Sequence, residues 1–235
     1  MIDEVVKRFD PLSSEIKLLI LGAGFSGQKV ACLAKKLGAK VLCSRRNSDS
    51  TGADFAFDSE TNKIPSAKTL EGTTHLLSCI PPSSNGEDPV LETLGNTINQ
   101  LPLKWVGYLS TTGIYGDCGG NWVTENNPPN PQQPRSKRRL ACEKAWQMSG
   151  LPVQIFRLPG IYGPGRSAIE NILTGKIRMV DKPGQVFSRI HVDDIAGAII
   201  HLIHLASKGL WPEAINITDN IPTTNIKVLE YAAEL

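Results

Sequence analysis

The chain has 235 residues, with 25 Lys and Arg against 23 Asp and Glu, a formal net charge of +2 and a sequence pI near 8.2. That length suits one domain with a substantial core, and the near-balanced charge gives no general argument for nucleic acid or an anionic membrane. Hydrophobic residues at 40% and charged residues at 20% are those of an ordinary soluble protein, and no run of residues resembles a transmembrane span.

From Met1 to Ile16 charges alternate with single apolar residues. The segment lacks the apolar core of a signal peptide, so a cytoplasmic location is expected. The next stretch, Lys17-Leu18-Leu19-Ile20-Leu21-Gly22-Ala23-Gly24-Phe25-Ser26-Gly27, is an apolar run that breaks into a Gly-x-Gly-x-x-Gly turn. Gly22 allows a tight turn, Gly24 lets a pyrophosphate approach the backbone, and Gly27 lets the following helix pack on the strand. The helix N-terminus adds free N–H groups and a partial positive charge. Apolar Val30, Ala31, Leu33, Ala34 and Leu37 give Ser26–Leu37 a helical spacing, and Gly38 stops the helix before a strand-like run from Lys40 to Cys43. This context points to a nucleotide site formed by Gly22, Gly24, Phe25, Ser26 and Gly27, against the plainer reading of a turn that binds nothing.

The second strand ends Cys43-Ser44-Arg45-Arg46, with no carboxylate for a ribose 2′-hydroxyl. Ser44, Arg45 and Arg46 suit the 2′-phosphate of NADP, because the guanidinium fork donates paired bonds to phosphate. One charge-assisted hydrogen bond should favour NADP over NAD by about tenfold or more. A solvated Arg pair on a surface loop is the alternative.

Strand-like segments at Leu18–Leu21, Val41–Cys43, Asp54–Phe57, His75–Ile80, Trp105–Ser110, Val153–Leu158 and Ala214–Ile217 alternate with helical ones. The helices are expected at Ser26–Leu37, Glu87–Leu101, Arg135–Met148 and Val192–Ala206, with weaker ones at Ala168–Leu173 and Asn225–Leu235. The alternation predicts an α/β fold with a doubly wound parallel sheet. Further cofactor contacts are expected from Ile80 and Pro81 after the fourth strand and from Pro159 and Gly160 after the sixth. The one long connection, Asp117 to Pro134, holds four prolines, four asparagines and Trp122, and reads equally as a lid or a surface excursion. Five scattered cysteines, with no Cys-x-x-Cys, read as reduced thiols. His201 and His204 lie three apart without further ligands nearby, so no metal site is expected.

Three segments of the second half resemble extended short-chain dehydrogenases/reductases, the group of NAD-dependent epimerases and dehydratases. These are Ser110-Thr111-Thr112-Gly113-Ile114-Tyr115-Gly116, Arg157-Leu158-Pro159-Gly160-Ile161-Tyr162-Gly163-Pro164-Gly165 and Ile190-His191-Val192-Asp193-Asp194-Ile195-Ala196. The resemblance implies a Rossmann sheet of order 3-2-1-4-5-6-7 in a single domain over 1–235. It also implies a small C-terminal lobe from about Pro159–Val186 and Ser207–Leu235. Thr111 takes the place of the family's catalytic Ser/Thr. The chain departs where the family carries Tyr-x-x-x-Lys: Arg135 stands for the tyrosine and Arg139 for the lysine.

Arginine stays protonated at working pH, so Arg135 is a poor proton donor or acceptor, while Arg139 can still bond a ribose. The tract Arg135-Ser136-Lys137-Arg138-Arg139 opposes the macrodipole at a helix N-terminus. It reads either as an anion site with Arg135 and Arg139 on one face, or as a solvated basic face with Arg139 beside Glu143. His191, Asp193 and Asp194 read as structural.

The expected function is an NADP-binding oxidoreductase or epimerase-like enzyme for a small, anionic, carbonyl or sugar-like substrate. In it Thr111 and Arg135 polarise a carbonyl, Arg139 holds the cofactor, and Tyr115, Tyr162 or water supplies the proton. A non-catalytic NADP sensor is the alternative, and an RNA-binding relative is disfavoured by the charge. No membrane partner is expected, and a homodimer is compatible with the short lobe.

Overall fold

Residues that are apolar on both sides of a strand must be covered on both faces, and the first strand shows how this is done. In the computed structural model, which describes residues 6–177 and 185–235, Leu18 and Ile20 of β1 (Lys17–Leu21) enter one core while Leu19 and Leu21 enter the other. The first five residues of the N-terminal segment and residues 178–184 of the expected lobe lie outside the described residues.

β1 sits in a seven-stranded parallel sheet with β2 (Lys40–Arg45), β3 (Phe55–Ala56), β4 (His75–Ser78), β5 (Trp105–Thr111), β6 (Val153–Leu158) and β9 (Ala214–Asn216). The spatial order is 3-2-1-4-5-6-9, so the expected order is realised, with the seventh candidate strand at the edge. Two short strands, β7 (Gly160–Tyr162) and β8 (Arg189–His191), form a separate parallel pair that the sequence did not suggest. β4 stops at Ser78 rather than Ile80, as Pro81 and Pro82 follow without the N–H a ladder needs.

One face of the sheet is covered by α1 (Phe25–Lys36) and α6 (Val192–Ser207), which bury Val30, Leu33, Ile195, Ile199 and Ile203. The other is covered by α2 (Ala67–Leu70), α3 (Pro89–Ile98) and α4 (Pro134–Gln147), through Leu70, Val90, Leu94, Ile98 and Trp146. Asp88 caps α3 through the N–H groups of Val90 and Leu91 and also accepts the Trp146 indole N–H at 2.9 Å, so one carboxylate fixes α3 against α4. Lys29 on α1 pairs with buried Asp193 on α6 at 3.2 Å.

The centre of the sheet depends on Gly107. A Cβ there would lie 2.5 Å from Trp105 and 2.7 Å from Phe156, two rings that stack with centroids 5.9 Å apart. Among the C-terminal segments, α5 (Ala168–Leu173) packs against α7 (Asn225–Glu234). Arg189 on β8 donates to the carbonyls of Phe187 and Thr223 and to Asn225 at the start of α7. Ala214–Asn216, within the range of the expected lobe, is the expected seventh strand and pairs with β6 in parallel register. No helix among the described residues is long and apolar enough to cross a membrane.

Buried His75 on β4 carries a consequence for stability. Burial, with Lys104 nearby, pushes its pKa down to about 4. Between that value and the ordinary one of about 6.5 the unfolded chain binds a proton that the folded chain refuses. Stability is therefore complete above this window and falls by roughly 3 kcal/mol as pH drops through it. Urea denaturation between pH 7 and 4 should show that fall, and His75→Gln should flatten it.

Candidate cofactor and active site

The strand order reverses at β1: the chain leaving β1 runs through α1 on one face and the chain leaving β4 through α3 on the other, and this opens a crevice at the carboxyl ends of the strands. The glycine turn lies there. Gly22 has φ +76°, and a Cβ on it would strike Ile80 at 2.6 Å, so its requirement is both conformational and steric. A Cβ on Gly27 would press on Ile20 and Cys79 at 3.1 and 3.2 Å, which is the close helix–strand approach the spacing predicts. Gly24 differs: its Cβ would meet nothing nearer than the Gly22 carbonyl at 3.8 Å, leaving open space at the start of α1.

Above that space α1 begins without a side-chain cap and without an acidic residue in its first turn. The N–H groups of Phe25, Ser26 and Gly27 have no acceptor among the described residues. Unpartnered amides around a space that a side chain would fill fit the diphosphate of a dinucleotide.

Ser44 is fully buried, and its hydroxyl accepts the Gly22 N–H at 3.1 Å while its carbonyl accepts that of Ala23. This corrects its expected role: it shapes the glycine turn and does not reach a ribose phosphate. Arg45 is half-buried and donates to the Thr51 carbonyl at 3.0 Å, and Arg46 is exposed beside it. Asp54 is brought next to β2 by β3, but its carboxylate accepts the Cys43 N–H at 2.7 Å. Ile80 is half-buried over the glycine turn, Pro81 is exposed, and Pro159 and Gly160 lie at the carboxyl end of β6.

Thr111 ends β5 and caps the 3₁₀ turn Thr112–Tyr115, its hydroxyl oxygen accepting the Gly113 N–H at 3.1 Å. A Cβ on Gly113 would lie 2.9 Å from Ser136 Oγ and 3.3 Å from Thr111 Oγ1, so Gly113 keeps a narrow gap between two hydroxyls. Ser136 was not singled out in the sequence, where it is one polar residue within a basic tract.

Three expected assignments change. Tyr115 is buried; its hydroxyl accepts from Arg157 Nη1 at 2.8 Å and donates to Asn216 Oδ1 at 2.9 Å, so it has no proton to spare for a substrate. Glu143 does not lie on a solvated face beside Arg139. It is buried and pairs with Arg157, Nη2 to Oε2 3.0 Å, while Ser110 donates to its other oxygen. Arg139 turns inward, its Nη1 donating to the carbonyls of Ile80 and Leu109 and to the Tyr108 hydroxyl, whereas Arg135, one turn earlier, is exposed. The two do not form one anion-facing pair.

Burial opposes the Arg157 charge, but the bonds to Glu143 and Tyr115 outweigh it and raise its pKa. The guanidinium also lies over the Tyr115 ring, 5.2 Å from the centroid. The long loop is tied into this cluster: Glu125 offers its carbonyl to Arg157 and its carboxylate to the Asn216 N–H. It is therefore tied to the sheet at Glu125, while Trp122 is 74% exposed. An arginine inside the buried strand β6 was the signal for this cluster, since such a charge needs a buried partner.

Elsewhere His191 caps α6, its Nδ1 accepting the Asp193 N–H at 3.2 Å. Tyr162 on β7 is 39% exposed, packs edge-on against His191, and has its pKa raised by burial and by Asp219 and Asp194. All five cysteines are free; burial pushes Cys43 and Cys142 up to about 11 and Cys79 further up, so these three thiols stay protonated. Among the described residues no group of three or more His, Cys, Asp or Glu could hold a metal.

Residues 18–218 match the model of the NAD dependent epimerase/dehydratase family. The chain belongs to that family. Its fold superposes on a functionally unknown conserved protein from Silicibacter pomeroyi with TM-score 0.81 and 38% identity, covering 93% of this chain and 77% of that one. Protein YeeZ of Escherichia coli is 26% identical over 210 residues, 82% of this chain and 74% of YeeZ. Protein y4nG of Sinorhizobium fredii is 33% identical over 103 residues, 40% of this chain and about a quarter (26%) of that protein's length.

Three variants test the site. Glu143→Ala leaves the Arg157 charge buried and unpaired and should cost about 3–5 kcal/mol in urea denaturation, while Glu143→Met with Arg157→Met should recover most of it. Gly24→Val should fold, given the open space, and lose dinucleotide binding in calorimetry. Normal binding by that variant would place the cofactor elsewhere.

Proposed function

We propose that this family member binds NADP and acts as an atypical oxidoreductase or epimerase-like enzyme on a small carbonyl or sugar-like substrate. The observation that carries the reading is the glycine crevice itself: open first-turn amides on α1 beside a strand end that offers Arg45 and Arg46, with the neighbouring Asp54 carboxylate already bonded to Cys43. The amides of Phe25, Ser26 and Gly27 would hold the diphosphate, and Arg45 and Arg46 the 2′-phosphate. A nicotinamide dinucleotide supplies reversible hydride transfer when bound.

The protein's own groups then divide the remaining work. The Thr111 oxygen accepts from Gly113, so its proton is free to be donated to a substrate oxygen. Arg135, exposed at the start of α4, suits binding of an anionic substrate group and not proton transfer. With Tyr115 engaged, Tyr162 or water is left as the proton source, and the raised pKa of Tyr162 keeps its phenol protonated. One observation favours a second reading, a non-catalytic NADP sensor: both Tyr115 and Arg139 are spent on internal contacts.

Fluorescence titration should give NADPH the tighter binding by about tenfold over NADH, and equal affinities or a preference for NADH would overturn the NADP assignment. NADPH oxidation across small aldehydes, ketones and nucleotide sugars then separates the readings. Turnover that drops in Thr111→Ala and Arg135→Lys supports the enzyme; cofactor binding without parent turnover supports the sensor.

A further inference from the structure

The turn after β7 lies over the same crevice from the opposite side. Gly163 and Arg166 close it with two reciprocal backbone hydrogen bonds of 3.0 and 2.9 Å. Glu170 braces it from below, taking the N–H groups of Gly165 and Ser167 on its two oxygens at 2.7 and 3.0 Å. The turn also packs closely on the start of α1: a Cβ on Gly163 would sit 2.6 Å from Val192, 3.3 Å from the Phe25 ring and 3.4 Å from His191.

This braced turn presents Arg166, whose guanidinium lies over the Phe25 ring, 5.7 Å from the centroid. Phe25 is the first residue of α1 and carries one of the unpartnered amides. Arg166 is exposed, and its guanidinium has no hydrogen-bond or ion-pair partner among the described residues. The nearest carboxylate on its own segment, Glu170, is occupied by backbone N–H groups and by Ser167. A cation fixed by a rigid turn, and resting on the residue that opens the amide cradle, has the chemistry and placement to take a diphosphate from the side the amides do not cover.

We propose that Arg166 is the cationic half of a diphosphate clamp, closing over the cofactor's pyrophosphate against the α1 amides. The inference rests on the dinucleotide reading above. Because the diphosphate is common to both cofactors, Arg166 contributes equally to NAD and NADP binding, whereas Arg45 and Arg46 act on the 2′-phosphate alone. A nucleoside-diphosphate substrate offers the same chemistry, but contact with Phe25 places Arg166 on the cofactor side of the crevice.

The test is fluorescence titration of the parent, Arg166→Ala, Arg166→Lys and Arg46→Ala with NADP, NAD, ADP-ribose and UDP, at low and high salt, with thermal melting of each variant. Arg166→Ala should melt as the parent does. It should weaken NADP, NAD and ADP-ribose by a similar factor of roughly tenfold, a loss that shrinks at high salt and is partly restored in Arg166→Lys. Arg46→Ala should weaken NADP only. Unchanged affinities in Arg166→Ala, or a loss confined to NADP or to UDP, would overturn the clamp while leaving the cofactor site standing. A parent that binds none of the three dinucleotide-type ligands would remove the cofactor reading and the clamp with it.

Discussion

The buried pair of Arg157 and Glu143 is the interaction on which the carboxyl edge of this molecule depends. An arginine placed inside an apolar strand must find a full set of acceptors or lose several kcal/mol to desolvation. It finds them on four separate elements: Glu143 on α4, Tyr115 on the 3₁₀ turn, the Glu125 carbonyl on the long loop and, through Tyr115, Asn216 on β9. Ser110 completes the carboxylate from β5. One charge pair thus sets where α4 lies on the sheet, where the edge strand docks and how the loop is tied down. It also removes Tyr115 from chemistry, because a phenol that satisfies a buried guanidinium cannot also serve a substrate.

The cofactor side of the crevice depends on a different kind of constraint, the absence of atoms. Gly22 and Gly27 are close-packed positions, where a side chain would strike Ile80, Ile20 or Cys79, while Gly24 opens onto space. Ser44 holds the turn in place from the neighbouring strand. The amides left open by this geometry lie at the start of α1, where Arg166 rests over the Phe25 ring, while Arg45 and Arg46 stand at the end of the neighbouring strand β2. On the dinucleotide reading proposed above, the strand end would sense a substituent on the ribose and the turn against the helix start only the diphosphate.

The two arginines that the sequence resemblance sets in the place of the family's proton-transfer pair went separate ways. Arg139 became a strap across the ends of β4 and β5, and Arg135 stayed in solvent. What remains near the end of β5 is a pair of hydroxyls, Thr111 and Ser136, kept apart by the bare Cα of Gly113. Hydroxyls can bind and polarise an oxygen, which is the role proposed above for Thr111.

While the sheet order came from the family resemblance, local sequence was enough for the alternation of strands and helices, the glycine turn and the limits of the main helices. Each follows from periodicity, from turn residues, or from the need to bury apolar strands on both faces, and all of these act over short distances along the chain. The arginines after β2 were legible for the same reason. Side-chain partners were not. Glu143 reads as solvated on a helix of mixed charge, Tyr115 as a free phenol and Ser44 as a phosphate ligand, until folding brings residues 14 to 101 positions apart into contact. The placement of Arg166 over Phe25 is of this kind as well, since the turn that carries it and the helix it covers meet only in the folded chain. Where a charge or a hydroxyl points is decided by which acceptors tertiary packing leaves within reach, and one-dimensional spacing carries no record of that.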